Sequence, residues 1–223
     1  MADPMKGTPL EGLELPDEVF GLGAAELAYL MARHETPGGE RSRQLLMLDP
    51  RAADDAALLA GASSLASRGW LAVDEAGGHE SRSNAALVEY AVGAATRWTR
   101  IGLVGENVSQ ADFAILLESD TVVALMQPRQ LASWFIRLGQ QDGSTGALVT
   151  GLVRERFAAN PQAGVFLEVQ TLDGSSNLAI RRHGDGFEAL ADVAGPGTGT
   201  GGVVDTNGLQ GAVEQLYTEA VSA

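Results

Sequence analysis

The stretch SSLASRGWLAV, residues 63–73, joins the end of one secondary-structure element to the start of the next. Residues 54–68 have an acidic first turn, apolar side chains at helical spacing and Arg68 in the last turn, which together predict a helix. Gly69 can adopt the left-handed conformation that ends such a helix. The apolar residues 70–73 then begin an extended piece. This order of helix, glycine and strand predicts a chain that mixes both kinds of element.

The first half of the chain predicts helices that alternate with strands. EVFGLGAAELAYLMARHE (18–35) has apolar side chains at helical spacing and predicts an amphipathic helix. RSRQLLMLDP (41–50) is short, apolar in its middle and stopped by Asp-Pro, which favours a strand. A further helix is expected near residues 83–95, and a strand over residues 97–107.

The middle of the chain predicts a hairpin followed by a helix. Two apolar runs, ADFAILLES (111–119) and DTVVALMQ (120–127), meet at Ser119-Asp120 and are expected to pair as strands. A helix is expected after Pro128, because four large apolar residues recur at i, i+3, i+4 and i+7. These residues are Leu131, Trp134, Phe135 and Leu138.

The last third predicts one helix and a run of strands. Residues 147–160 have the apolar spacing of a helix, with Leu148, Leu152 and Phe157 toward the core. Three strands should follow, separated by Asp-Gly and Gly-Asp-Gly turns. They are GVFLEVQTL (164–172), SNLAIRRH (176–183) and GFEALAD (186–192). The predicted fold class is therefore α+β, with antiparallel sheets packed with helices.

Proline and glycine suggest how the chain is divided. Residues 1–16 have three prolines and few large apolar groups, so a flexible leader is expected. Residues 17–193 are expected to form the α+β domain. The Gly-rich stretch 194–204 predicts a linker, because it is poor in apolar side chains. Residues 205–223 predict a C-terminal helix that docks through Leu209, Val213, Leu216 and Val221.

Composition excludes several classes of function. The chain of 223 residues is 45% hydrophobic and carries 15 basic and 29 acidic side chains, for a net charge of −14. Such a charge repels phosphate backbones and anionic membranes, so nucleic acid is not an expected partner. The absence of cysteine excludes disulfides and thiol chemistry. No apolar run reaches the roughly 18 residues of a membrane span, so a cytoplasmic location without membrane insertion is expected.

No residue pattern predicts catalysis. His34, His79 and His183 are isolated from one another and lack the spacing of metal ligands. Ser63 and Ser64 lack the G-x-S-x-G elbow of a hydrolase. GPGTGTGG lacks the lysine and the adjoining helix of a phosphate loop. We therefore predict a non-enzymatic protein, with no catalytic, cofactor-binding or metal-binding residue and with partner-binding residues unknown.

The order of four segments resembles the EspG-type chaperones of actinobacterial type VII secretion. The segments are AAELAYLM (24–31), LASRGWLAVDEAG (65–77), NAALVEYAV (84–92) and MQPRQLASWFIRLG (126–139). The resemblance implies an α+β fold and a cytoplasmic, non-enzymatic chaperone. Such a protein would bind helical secretion substrates of the PE/PPE kind and keep them soluble. No short motif marks a binding residue that could be carried over.

Two alternatives follow from the same sequence. Residues 41–78 could form a winged helix in a transcriptional regulator, with Arg68 in contact with DNA. A reading helix would, however, need basic or amide side chains along its exposed face, and residues 54–68 offer one cation. A small-molecule binding protein is the third possibility, with no residue assigned to it.

Overall fold

The computed structural model describes residues 5–104, 112–141, 143–193 and 199–222. The helices are α1 (Ala24–Ala32), α2 (Pro37–Leu46), α3 (Asp55–Ser67), α4 (Ser83–Gly93), α5 (Thr145–Ala159) and α6 (Thr206–Ser222), with a 3-10 turn at Pro50–Ala53. The strands are β1 (Phe20–Gly23), β2 (Leu71–Val73), β3 (His79–Ser81), β4 (Arg97–Val104), β5 (Asp112–Glu118), β6 (Val122–Arg129), β7 (Ser133–Gln140), β8 (Gly164–Gln170), β9 (Ser175–His183), β10 (Gly186–Ala191) and β11 (Thr200–Val204). The α+β fold class is confirmed.

The chain forms two compact units. The first comprises Met1–Thr96 and Ile115–Asp142, and the second comprises Arg97–Ala114 and Gly143–Ala223. Each unit therefore contains two separate pieces of the chain. The predicted boundaries at residues 16, 193 and 204 stay a prediction.

In the first unit, antiparallel strands lie in the order β1-β7-β6-β5. Helix α1 packs against α3, α2 packs against α4, and α4 packs on β6. A separate hairpin of β2 and β3 follows α3. The predicted helix end holds in detail: α3 ends at Ser67, and Gly69 has a φ of +71°. The predicted hairpin of β5 and β6 around Ser119-Asp120 is also confirmed.

In the second unit, antiparallel strands lie in the order β4-β8-β9-β10-β11. The predicted meander of three strands is confirmed as β8, β9 and β10. Helix α6 packs on β8, β9 and β10 and against α5. The buried hydroxyls of Thr99 and Tyr217 lie 2.7 Å apart and join β4 to α6. The rings of Phe157 and Phe187 pack 5.3 Å apart and join α5 to β10.

The strand expected over residues 41–50 is wrong, because α2 occupies Pro37–Leu46. Thr36 caps this helix by accepting a hydrogen bond from the backbone of Gly39, and Pro37 follows at the first helical position. The Ser42 hydroxyl donates to the carbonyl of Val92 on α4. The helix therefore begins at the Thr36 cap and Pro37, before the apolar run on which the strand prediction rests.

The helix expected after Pro128 is also wrong, because the chain turns and continues as β7. Leu131, placed on the buried stripe, is 99% exposed in that turn. Trp134, Ile136 and Leu138 are buried, whereas Phe135 between them is 45% exposed. The burial therefore follows the period of a strand, which the same residues also satisfy.

Four smaller differences concern where elements begin and which side chains are buried. Phe20–Gly23 forms β1, so the first helix begins at Ala24 rather than in residues 18–23. Leu148 is half exposed, while its neighbour Val149 is buried. In the predicted leader, Met5 and Leu10 are buried. Within the predicted linker, residues 194–198 lie outside the described part of the chain, and Thr200–Val204 forms a strand.

The predicted docking helix is present as α6, and the three expected side chains that the structure describes are buried. Leu209, Val213 and Leu216 are each at most 2% exposed. The side chain of Val221 lies outside the described part of the chain, as do residues 105–107 of the strand expected over residues 97–107.

Candidate protein-binding groove

The second unit has an open groove beside its last strand. Strand β11 pairs antiparallel with β10, and in the described part of the chain no strand pairs with its other side. Four of its five residues are exposed. No charged residue occurs within the strand, although charged side chains commonly protect edge strands from pairing.

A cavity of about 310 Å³ lies between β11 and α6. Its apolar lining comes from both the sheet and the helix, and a few polar side chains complete it. The lining residues are Leu178, Ala189, Ala191, Asp192, Thr200, Gly201, Gly202, Val204, Ala212, Gln215, Leu216 and Glu219. The cavity thus combines an apolar floor with polar groups, as protein binding sites commonly do.

Small residues explain why this space is not filled by the protein itself. Gly202 lies opposite Ala189 in the ladder of β10 and β11. A methyl group added at Gly202 would meet no atom within 4 Å. Ala189, Ala191 and Ala212 also line the cavity. Three alanines and a glycine leave a gap below α6 that larger side chains would close.

Gly201 has a different role from its neighbour. Its φ is +153°, and a methyl group there would lie 2.1 Å from the carbonyl oxygen of Ala189. No L side chain fits so close to a backbone oxygen. Gly201 therefore allows β11 to approach β10, whereas Gly202 leaves room beneath the helix.

The charged groups of the groove are acidic. Asp192 and Glu219 belong to its lining, and no basic side chain does. Helix α6 carries Glu214 and Glu219 and no basic residue. The Gln215 amide donates to the Glu219 carboxylate at 2.7 Å and holds it at the groove. The groove therefore favours an apolar and basic ligand.

Strand β1 of the first unit has the opposite character, because side chains close it. The Glu26 carboxylate accepts hydrogen bonds from the Gly23 backbone at 2.8 Å and from the Ser64 hydroxyl at 2.8 Å. It also pairs with the Arg68 guanidinium at 3.1 Å. The same guanidinium donates to the carbonyl of Gly21 at 3.1 Å. The buried Glu26 and its partner thus satisfy backbone groups of β1.

The same network determines the position of the Arg68 side chain. Its guanidinium carbon stands 3.6 Å from the centre of the Trp70 ring, whose edge contacts Phe20. The charge of Arg68 is therefore used within the fold. Exposed positions of α3 include Asp55, Leu59 and Ser63, and the helix itself contains no basic or amide side chain. This arrangement gives no support to a DNA-reading helix.

The histidines lie apart from the groove. The Nδ1 of His79 is 2.5 Å from the Tyr29 hydroxyl, and Nε2 of His34 is 3.2 Å from the Glu89 carboxylate. His183 ends β9 and is exposed. Within the described ranges, no three acidic or histidine side chains are grouped as a metal site.

Glu89 is the strongly shifted carboxylate of this cluster. Burial alone would raise its pKa, but hydrogen-bonding groups of His34, Ser81 and Arg33 outweigh burial and lower the pKa to about 2. Arg33 also donates to the carbonyl of His79, which holds the β2–β3 hairpin to α1. The cluster therefore has a structural arrangement, with each charge facing a partner.

The sequence predicts no partner-binding residue and assigns residues 199–204 to a linker. The pair Val203-Val204 is the local indication of a strand there, since β-branched residues favour strands. None of the described helices combines the length and the hydropathy that a membrane span requires.

Comparison with known proteins gives a likeness to solved structures and none to sequence families. No family model matches the chain, and no curated protein matches its sequence. A solved structure, the Mycobacterium tuberculosis type VII secretion system chaperone EspG5 in complex with a PE25-PPE41 dimer, is similar at a TM-score of 0.53 and 10% identity. The likeness covers 90% of this chain and 96% of EspG5. The protein therefore has an α+β fold similar to that of EspG5.

Proposed function

We propose that the protein is a non-catalytic, EspG-like chaperone or adaptor that binds secreted helical proteins in the cytoplasm. The observation that carries this proposal is the likeness of fold, which extends over 90% of this chain and 96% of EspG5. Because that structure contains a PE25-PPE41 dimer, the partner class proposed is a helical pair of the PE and PPE kind.

The charge and the groove support a protein partner. A net charge of −14 disfavours nucleic acid, because phosphates would be repelled. In the described part of the chain, the groove offers apolar surface next to a strand edge with which no other strand pairs, and these two features bind peptide segments. A chaperone acts by covering such segments of a partner until the partner is handed on.

The test is co-expression of the full chain with a PE and PPE pair from the same genome. The expected result is that the pair is insoluble alone and becomes soluble with the chain. The complex should elute from size exclusion as one species of fixed stoichiometry. The control is co-expression with an unrelated acidic protein of similar size. A pair that stays insoluble with the chain, or that is equally soluble with the control, would contradict the proposal.

A further inference from the structure

The geometry points to β11 as the acceptor of an extended segment of the partner, which adds a strand to the sheet. One apolar side chain of this segment enters the cavity over Gly202, and a basic side chain lies beside Asp192 and Glu219. The inference rests on the proposed function only in taking the occupant from a protein partner. It specifies how the partner is held.

The backbone of β11 provides the first argument. An edge strand presents alternate N–H and C=O groups on its free side, which can pair with another extended chain. In the described part of the chain, no side chain hydrogen-bonds to the backbone of Thr200 through Val203. An extended segment can pair with the groups on the free side of the strand in a regular ladder.

The cavity provides the second argument. Side chains on one face of neighbouring strands lie next to each other, so a residue added beside Gly202 would point into the space that this glycine leaves. The space is about 310 Å³ and is lined by Ala189, Val204, Ala212 and Leu216 among others. A Leu or Phe side chain fits this lining in size and in chemistry. Burial of that side chain would add affinity and fix the register of the added strand.

Charge complementarity identifies the occupant further. Asp192 and Glu219 stand in the lining without a basic neighbour there. A Lys or Arg in the added segment would supply the missing charge. A second copy of this chain would bring another acidic groove and a net charge of −14, so pairing of two β11 strands is disfavoured. The occupant is therefore an apolar and basic segment of a different protein.

The experiment uses a displayed library of short random peptides, selected against the full chain. Selected peptides should carry an apolar and a basic residue two positions apart, which puts both side chains on the face toward α6, and their binding should slow hydrogen exchange of amides in Thr200–Val204. The variant Gly202→Val, which fills the cavity, should weaken binding about tenfold or more. Its matched control is Gly139→Val, another strand position where an added methyl meets no atom within 4 Å. The control should bind as the wild type does.

A second variant tests the charge independently. Asp192→Asn combined with Glu219→Gln should weaken binding of the basic peptides about tenfold, and the loss should shrink as salt is added. Methylation of alternate peptide nitrogens, which removes strand donors on one edge, should abolish binding. The free energies of unfolding of all variants should stay within about 0.5 kcal/mol of the wild type, since none of the replaced residues contributes a side chain to the core.

Three results would overturn the inference. Selected peptides that bind Gly202→Val unchanged would exclude the cavity. Peptides that leave exchange at β11 unchanged would exclude strand addition, as would protection of β11 by dimerisation of the chain without peptide. These results do not depend on a PE and PPE pair. Peptide binding without a co-expressed complex would reject the proposed function alone, and a complex without peptide binding at β11 would reject this inference alone.

Discussion

Strands β1 and β11 are both short and both contain two glycines, yet they differ in whether side chains hydrogen-bond to their free backbone groups. At β1, the Glu26 carboxylate accepts from the Gly23 backbone, and Arg68 donates to the carbonyl of Gly21. At β11, no described side chain bonds to the backbone of the strand's first four residues. A buried carboxylate and its arginine partner therefore close one strand, and a cavity accompanies the other. The difference shows that strand sequence alone does not decide whether an edge is available.

The largest expected effect comes from breaking the closed strand. Glu26→Gln removes the charge that balances Arg68 and weakens the hydrogen bonds from Ser64 and Gly23. Because Glu26 is only 6% exposed, we expect the free energy of unfolding to fall by about 3 kcal/mol. Urea unfolding measures this loss. The control Glu80→Gln breaks the exposed pair with Arg82 and should change stability by less than about 0.5 kcal/mol. Equal losses of unfolding free energy in Glu26→Gln and Glu80→Gln would contradict the larger contribution of the buried carboxylate.

The next effect tests how β11 is held. Gly201→Ala places a methyl group against the carbonyl oxygen of Ala189, so we expect a loss of about 2 kcal/mol and faster amide exchange along β11. Gly202→Ala is the matched control, because the same methyl group there meets no atom within 4 Å. A stable Gly201→Ala protein with unchanged exchange would show that β11 does not need this close approach.

Unlike the edges of β1 and β11, the β2–β3 hairpin is held to α1 by a cluster of charged side chains that includes Glu89. The pKa of Glu89 is lowered from 4.5 to about 2 in the folded protein. The carboxylate therefore contributes stability above pH 4.5, and that contribution is lost as the pH falls from 4.5 toward 2. Over this pH range, we expect the free energy of unfolding of Glu89→Gln to fall by about 1.5 kcal/mol less than that of the wild type. Unfolding measured between these pH values tests it, and identical pH profiles would contradict it.

The smallest effect concerns the cavity itself. Gly202→Val occupies part of the open space beneath α6 and favours extended backbone. Stability should therefore stay equal or rise by about 0.5 kcal/mol. Thermal unfolding provides the measurement. A loss above about 1 kcal/mol would mean that the space is needed for the fold and is not free for a ligand.

Local patterns predicted the elements whose signals agree with one another. Helix α3 has apolar spacing, an acidic start and Gly69 at its end, and β5 and β6 meet at a polar turn. Predictions failed where one sequence satisfies two periods, as around Trp134. They also failed where a start signal lies outside the apolar run, as at Thr36 before α2.

The groove could not be predicted, because it depends on distant residues. Gly202 belongs to a stretch whose composition is typical of a linker. Its place in the groove depends on its pairing with Ala189 across the ladder. The role of Arg68 likewise depends on Glu26, which lies 42 positions away in the sequence. No local pattern reports which side chains will cover a strand edge.

Amide hydrogen exchange, measured residue by residue in the full chain without a partner, distinguishes a closed β1 from an open β11 most directly. We expect slow exchange at Gly23, whose amide donates to Glu26 at 2.8 Å, and fast exchange at alternate amides of Thr200–Val204. Equal protection of both strands, or slow exchange along the whole of β11, would contradict the claim that one strand is closed and the other is open.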